Sequence, residues 1–332
     1  MKYWQIACGS LGRYYADHFI RFGMAFVGGR EHIATMAKVD VGDRVLMKKG
    51  TSKVIAAGEI VERTGKHRGQ ADKDWLRDFD GWDLQAYCYV DWHVPSTPVG
   101  VKGLTRHTIQ NVGKQHLKDV TDEVISNNPV RKDIDAEPEP TCSVKDTEII
   151  RYLINQGLRP GAAEDLTSTF NRIRLLANYY RGRRWEDIRE HETRTFLVMP
   201  LLLALGWAEQ QIKIELPVKN IGRADVACFS KPFHRSNEEC VLIVETKGFS
   251  QGLDYTRKQA QGYAKQFPNC RVLLGSNGYC YKAWTRQDDG TFANKPSAYL
   301  NLLDPQDKYP LDPDNVKGCL EVLRLLLPSS WV

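Results

Sequence analysis

The chain has 332 residues, 42% of them hydrophobic and 26% charged, which suits a folded protein of two domains and excludes a disordered or fibrous chain. Its net charge of +5 permits an anionic partner, although an ordinary basic enzyme explains that charge equally well. The longest apolar run, residues 196–205, contains Pro200 and is too short for a membrane span of about 20 residues. We therefore expect no membrane partner.

The cysteines and the first residues indicate the compartment. The eight cysteines form no CxxC pair, and most of them lie in apolar, strand-like runs. The opening segment MKYWQIACGS turns polar and glycine-rich at once, which is unlike a signal peptide. We therefore predict buried free thiols in a cytoplasmic protein, with neither disulfides nor a zinc site.

The first 125 residues are predicted to form short strands separated by glycine turns, with one short helix at residues 17–22. Such a pattern is typical of a small barrel or sandwich. The predicted strands are residues 3–7, 44–48, 54–63 and 85–92.

Residues 126–143 hold three prolines, several acids and almost no large apolar side chains, which is typical of a linker. This segment divides the chain into a predicted domain at 1–125 and another at 144–332. In the second domain the apolar spacing becomes helical and then strand-like, which predicts an α/β core with a mixed sheet. The predicted helices are 144–156, 165–180, 189–205 and 254–267, and the predicted strands are 212–216, 224–229, 240–246, 271–276 and 279–286.

The strongest chemical signal is an acid followed by an acid–lysine pair. Asp225 lies early on one predicted strand, and Glu245 and Lys247 end a very apolar strand twenty residues later. Because side chains alternate along a strand, Glu245 and Lys247 point to the same face. Charges at the end of a buried strand are costly unless they are paired or bind a metal.

Phosphodiester hydrolysis uses such a set of groups. Asp225 and Glu245 would bind Mg²⁺ (or Mn²⁺) through oxygen, and the backbone carbonyl of Thr246 could add a third ligand. The ion would polarise the phosphate and acidify a bound water, while Lys247 would hold that water, help to deprotonate it or stabilise negative charge. A structural ion pair, or a nuclease fold that has lost its activity, is the alternative.

Four ordered motifs resemble the PD-(D/E)XK nuclease superfamily, and more narrowly the N-terminal nuclease domain of type I restriction enzyme R subunits. The resemblance covers about residues 185–290 and implies a restriction-endonuclease-like mixed sheet flanked by helices. It implies supporting catalytic roles for Glu192 and Gln259, and it adds Tyr263 to the nucleic-acid contacts. The motifs are the helix 192–207 beginning with Glu192, Gly222-Arg223-Ala224-Asp225, Glu245-Thr246-Lys247-Gly248, and Gln259 with Tyr263 followed by Ser276-Asn277-Gly278.

The spacing within these helices is consistent with such roles, although simpler explanations stay open. Gln259 and Tyr263 are four residues apart and share a helix face, as do Glu192 and Phe196. Glu192 is therefore expected to face the metal. The alternatives are an acid favoured by the helix dipole for Glu192, and surface polarity for Gln259 and Tyr263.

The first domain is similar, more loosely, to the PUA-like barrels, especially EVE domains and their methyl-reading YTH relatives. The similarity follows the order of a first strand with Trp4, the strand after Gly42-Asp43 and the strand containing Gly58. It implies a small β-barrel with a pocket that holds a modified base between aromatic faces. Core packing is favoured for Trp4 and is an equal alternative for Trp75 and Trp82. The candidate pocket residues are these three tryptophans, Trp75, Trp82 and Trp4, together with Ser10 and Arg13 in the glycine turn after the first strand.

Two basic clusters are candidates for phosphate contacts. Residues 63–68 contain Lys66 and Arg68, and residues 181–184 contain Arg183 and Arg184. Such side chains give salt-sensitive affinity that is independent of sequence. A solvated loop explains either cluster equally well.

Together these features predict a modification-dependent (type IV-like) restriction endonuclease that acts against foreign DNA. The first domain would detect a modified base in DNA, and the second would cut the DNA with Mg²⁺. Cutting both strands favours a homodimer, and without a GxxxxGK[ST] pattern cleavage does not need ATP. The alternatives are an inactive nucleic-acid-binding protein and an RNA-reading, RNA-processing nuclease.

Overall fold

A computed structural model describes residues 1–10, 12–181, 183, 188–233 and 238–331. The chain forms two compact units, Met1–Glu139 and Pro140–Val332, and their division lies within the predicted linker segment. Both units combine helices with a mixed sheet, so the predicted mixed α/β class is confirmed. None of the helices in the described ranges has the length and apolarity that a bilayer crossing requires.

The first unit is built on an eight-stranded sheet. Its main path runs β10-β1-β5-β6-β8-β4, with β7 paired to β8 and β9 paired to β6, and β2 and β3 form a separate hairpin. Within this sheet β1 and β5 are parallel, and the other described pairs are antiparallel. The elements are β1 (Tyr3–Ala7), β2 (Gly9–Ser10), β3 (Arg13–Tyr14), α1 (Ala16–Phe22), β4 (Met24–Val27), α2 (Arg30–Met36), β5 (Arg44–Lys49), β6 (Lys53–Ile60), β7 (Arg68–Gln70), β8 (Ala86–His93), β9 (Val99–Gly100), β10 (Ile109–Asn111) and α3 (Gln115–Asn127).

Two apolar clusters fix this sheet. Helix α3 places Leu117 on Leu46 and Val54, which join β5 and β6. Elsewhere the rings of Phe19 and Phe26 meet at 4.5 Å in an edge-to-face contact, a favoured arrangement for buried aromatic rings.

The second unit carries a six-stranded sheet in the order β11-β12-β13-β14-β15-β16. Only β13 and β14 are parallel among its described pairs, and α8 makes the crossover between them. The elements are α4 (Asp146–Asn155), α5 (Pro160–Arg181), α6 (Glu190–Thr193), α7 (Met199–Ala204), β11 (Ile212–Val218), β12 (Gly222–Phe229), β13 (Cys240–Thr246), α8 (Thr256–Ala264), β14 (Val272–Ser276), β15 (Cys280–Thr285), β16 (Ala298–Asn301) and α9 (Cys319–Leu326).

Two glycines bring helices close to the end of the central strands. A Cβ at Gly275 on β14 would lie 2.2 Å from the hydroxyl oxygen of Thr256, the first residue of α8. A Cβ at Gly278, where φ is +97°, would lie 2.4 Å from a methyl carbon of Leu197 in the helical segment 190–204. Only glycine allows both approaches, and it also tolerates the left-handed backbone at residue 278.

All eight cysteines are free, and seven of them are buried, as the apolar surroundings predict. The exception is Cys142, which is exposed in the segment that begins the second unit. The thiols therefore belong mainly to the two cores.

Candidate functional site

Strand pairing brings the predicted acids together. The antiparallel register of β12 and β13 places Val226 opposite Val244, so Asp225 and Glu245 follow as the next cross-strand neighbours. Both acids come from strands buried for most of their length. The site is thus set at the end of the central strands, as the spacing predicts.

Asp225 is almost fully buried and is held through both of its carboxylate oxygens. The backbone N–H and the hydroxyl of Thr246 donate to Oδ2 at 2.6 Å and 2.8 Å. Nη1 of Arg194 donates to Oδ1 at 3.1 Å. Thr246 therefore orients Asp225; a metal-ligand role for its backbone carbonyl stays a prediction.

Glu245 is fully buried, with one oxygen bonded and the other unsatisfied. The Nζ of Lys247 donates to Oε1 at 2.6 Å, whereas Oε2 has no hydrogen-bond partner within the described ranges. Burial, and then the nearby carboxylate of Asp225, raises the pKa of Glu245 to about 7. An unsatisfied buried carboxylate oxygen costs free energy that a bound cation can offset.

Lys247 is bound between the sheet and α8. Besides Glu245, its Nζ donates to Oε1 of Gln259 at 3.2 Å and lies 3.8 Å from a carboxylate oxygen of Glu190. Gln259 in turn donates to the hydroxyl of the buried Tyr263 at 3.3 Å. Gln259 therefore contacts the site directly through Lys247, and Tyr263 contacts it only through Gln259.

The acid that the helical segment 190–204 brings to the site is Glu190, and the prediction that Glu192 faces the metal is wrong. The carboxylates of Glu190, Asp225 and Glu245 lie within 4.8 Å of one another. Glu192 instead accepts a hydrogen bond from the backbone N–H of Arg189 at 2.9 Å and meets the His191 ring, so it caps the helix start.

The helical segment 190–204 buries a different face from the one that the sequence spacing predicts. Phe196, expected beside Glu192 on the inner face, is 47% exposed. Residues 194–198 form a π-helical turn just before Pro200, whose missing N–H removes a helical hydrogen bond. The side chains that pack inward are Thr193, Arg194, Leu197, Val198 and Leu201.

Sequence reasoning missed Glu190 and Arg194. They are four residues apart and so lie on one side of the helix. Burial raises the pKa of Glu190, with Asp225 adding to the effect and Lys247 opposing it. The sequence did contain a signal for them. Leu197, Val198 and Leu201 are apolar at helical spacing from Arg194, which indicates that Arg194 lies on the inward face.

The three carboxylates form a set that suits a hard divalent cation. Carboxylate oxygens are the preferred ligands of Mg²⁺ and Mn²⁺, and the unpartnered Oε2 of Glu245 is a donor atom that the protein leaves unsatisfied. The donor chemistry therefore fits the metal that the sequence predicted, with Glu190 added to Asp225 and Glu245.

In the first unit, two of the predicted pocket tryptophans are core residues. Trp4 is 4% exposed, and its Nε1–H donates to Asp43. Trp75 is 5% exposed, packs against the rings of Phe22 and Phe26, and donates to Glu137. Because neither ring has an open face, Trp4 and Trp75 do not line a base pocket here.

Trp82 and Arg13 are brought together instead. Trp82 is half-buried, and the guanidinium of Arg13 lies 4.1 Å from the centre of its ring, within the range of a cation–π contact. Arg13 is itself buried and donates twice to the backbone carbonyl of Asp80, at 2.8 Å and 3.1 Å. Ser10 is exposed on the hairpin β2–β3 that also carries Arg13.

The predicted basic contacts are largely engaged within the protein. Lys66 pairs with Asp72, and Arg68 donates to the carbonyl of Val39. Arg183 is exposed and lies over the ring of Tyr179 at 4.5 Å. Arg184 lies outside the described residues.

Comparison with protein-family models found no family that matches the chain, and comparison with curated protein sequences found no significant match.

Proposed function

We propose that this chain is a metal-dependent nuclease that hydrolyses phosphodiester bonds in DNA, with its reacting site in the second unit. The carrying observation is the fully buried carboxylate of Glu245, whose Oε2 has no described hydrogen-bond partner while two further carboxylates lie beside it. The ion pair with Lys247 accounts for Oε1 but leaves Oε2 unsatisfied, and a bound cation would satisfy that oxygen.

Glu190, Asp225 and Glu245 would hold the cation, which we propose to be Mg²⁺ or Mn²⁺. When bound, such a cation supplies Lewis-acid polarisation of a phosphodiester and offsets its developing negative charge. A restriction-endonuclease-like core is our fold proposal for this unit, supported by the acids on β12 and β13 and by Lys247 beside them.

Lys247 has the contacts of a positive group that remains charged. Burial by itself would lower its pKa, but Glu245, Glu190 and Asp225 outweigh this effect and raise the pKa above its usual value. The ammonium is therefore suited to stabilise negative charge on a phosphate, more than to remove a proton. Gln259 fixes its direction through the hydrogen bond to Nζ.

For the first unit we propose recognition of a modified base, with Trp82 as the stacking surface. The buried Arg13 supports one face of that ring, which lowers the entropy cost of offering the other face to a base. The whole chain would then be a modification-dependent restriction endonuclease, and two copies would cut the two strands.

The test combines metal binding with cleavage by the full chain. We expect Mn²⁺ to bind in titration calorimetry, and Mg²⁺ or Mn²⁺ to support cleavage of modified DNA more than of unmodified DNA or RNA. Asp225→Asn should abolish cleavage, while Glu209→Gln, at an exposed position away from the cluster, should not. Cleavage by Asp225→Asn at the parent rate would refute the nuclease site, and equal cleavage of the two DNAs would refute the reader.

A further inference from the structure

A buried arginine lies beside the candidate metal site. Arg194 is 8% exposed, and its guanidinium bridges two carboxylates: Nη1 donates to Oδ1 of Asp225 at 3.1 Å, and Nη2 to Oε1 of Glu215 at 2.7 Å. A buried charge of this kind is retained only with close partners. Arg194 is thus a buried cation in direct contact with Asp225, one of the three acids proposed to hold the metal.

The two oxygens of Asp225 have different partners. Thr246 holds Oδ2 through two hydrogen bonds, so the orientation of the carboxylate is fixed without Arg194. Arg194 holds Oδ1. Its positive charge therefore lies where a divalent cation would compete for the same carboxylate.

Glu215 is placed by an unusual backbone to take the other end of Arg194. It lies on β11, between the pairs Ile214↔Val226 and Leu216↔Ala224, which puts it across from Asp225. Its φ is +51°, in the left-handed region that non-glycine residues rarely adopt. The carboxylate is half exposed, so it can keep Arg194 neutralised beside solvent.

We propose that Arg194 is a built-in counter-cation of the acidic cluster, displaced from Oδ1 when a divalent ion binds, and that Glu215 retains Arg194 in the metal-bound state. This inference rests on the proposed metal site. Arg194 then stabilises the metal-free cluster and weakens metal binding, whereas Glu215 strengthens metal binding. If Arg194 only oriented Asp225, its removal would weaken metal binding instead of strengthening it.

The test measures Mn²⁺ affinity by titration calorimetry on the full chain, with metal-free thermal unfolding as a second readout. Arg194→Gln should bind Mn²⁺ about tenfold more tightly or better, because a positive charge next to the ion is removed. Without metal, the same variant should unfold at a lower temperature than the parent chain. Added Mn²⁺ should restore its unfolding temperature. Glu215→Gln should bind Mn²⁺ at least about threefold more weakly.

Two control variants separate this exchange from general charge effects. Arg194→Lys keeps the positive charge but loses the two-pronged guanidinium contact, so its Mn²⁺ affinity should stay closer to that of the parent chain than the affinity of Arg194→Gln does. Arg223 lies 3.8 Å from Glu215 and is exposed, so Arg223→Gln removes a screened charge and should change the affinity less than about twofold.

The outcomes distinguish this inference from the metal site itself. Weaker Mn²⁺ binding by Arg194→Gln, or unchanged binding by Glu215→Gln, would overturn the counter-cation role while the metal site stands. If Arg194→Gln does not fold, the exposed Glu215→Gln decides by itself. If the parent chain binds no Mn²⁺, the proposed metal site fails and the exchange fails with it.

Discussion

Replacing Glu245 by glutamine should remove a pH dependence of stability that its burial creates. The pKa of Glu245 is raised from 4.5 to about 7, chiefly by burial. A raised carboxyl pKa means that the folded state binds the proton more tightly than the unfolded state. The metal-free protein is therefore most stable on this account below about pH 4.5, and loses that stability as the pH rises to about 7.

The size of the effect follows from the two pKa values. At about 1.4 kcal/mol for each pH unit between them, the free energy of unfolding of the parent should fall by about 3 kcal/mol relative to Glu245→Gln. For a unit of this size that corresponds to a difference of about 6–12 °C in the shift of Tm. Comparing pH dependences cancels the constant cost of removing the hydrogen bond from Lys247.

The assay is thermal unfolding of the full chain by calorimetry, without divalent metal, from about pH 4 to about pH 8. Glu209→Gln is the matched control, since it makes the same chemical change at an exposed position. Parallel pH profiles for the parent and Glu245→Gln would refute the reasoning. Added Mn²⁺ should raise the Tm of the parent at about pH 8 and leave that of Glu245→Gln almost unchanged, because ligand binding stabilises only a chain with the site.

Three further outcomes are expected. Glu190→Gln should weaken Mn²⁺ binding about tenfold or more in calorimetry, whereas Glu192→Ala should leave it unchanged and lower the Tm through loss of the side-chain hydrogen bond at the helix start. Trp75→Ala should cost about 3–5 kcal/mol in urea unfolding, while Trp82→Ala should cost less and reduce fluorescence-detected binding of modified DNA. Lys247→Met should abolish cleavage in a gel assay while Mn²⁺ still binds, and undiminished cleavage would contradict its proposed role.

The strands that carry the site could be predicted closely from sequence. β13 begins and ends at the predicted residues, because the run from Val241 to Val244 is apolar without interruption and so belongs to a fully buried strand. Asp225 and Glu245 lie on consecutive strands, and the antiparallel register of these strands brings them together. β16 and α9 were not predicted, although both are mostly buried.

The leading helix shows why its face could not be predicted. Glu190 and Glu192 are both acids near the start of this helix, and either could be the acid with which the predicted motif begins. Packing decided between them: Leu197 lies against Gly278, and the π-helical turn before Pro200 alters the spacing. Local periodicity assumes a regular helix, so it fails where the turn widens.

Trp75 shows the same limit in the first unit. Its polar sequence neighbours suggest a surface ring, yet it packs on Phe22 and Phe26 and donates to Glu137, 62 residues away. By itself the sequence determined the α/β class, the site strands and the shared face of Glu245 and Lys247, because these follow from local patterns along the chain. Only the tertiary structure decided that Glu190 and Arg194 complete the cluster, since contacts between distant segments leave no periodic signal in the chain.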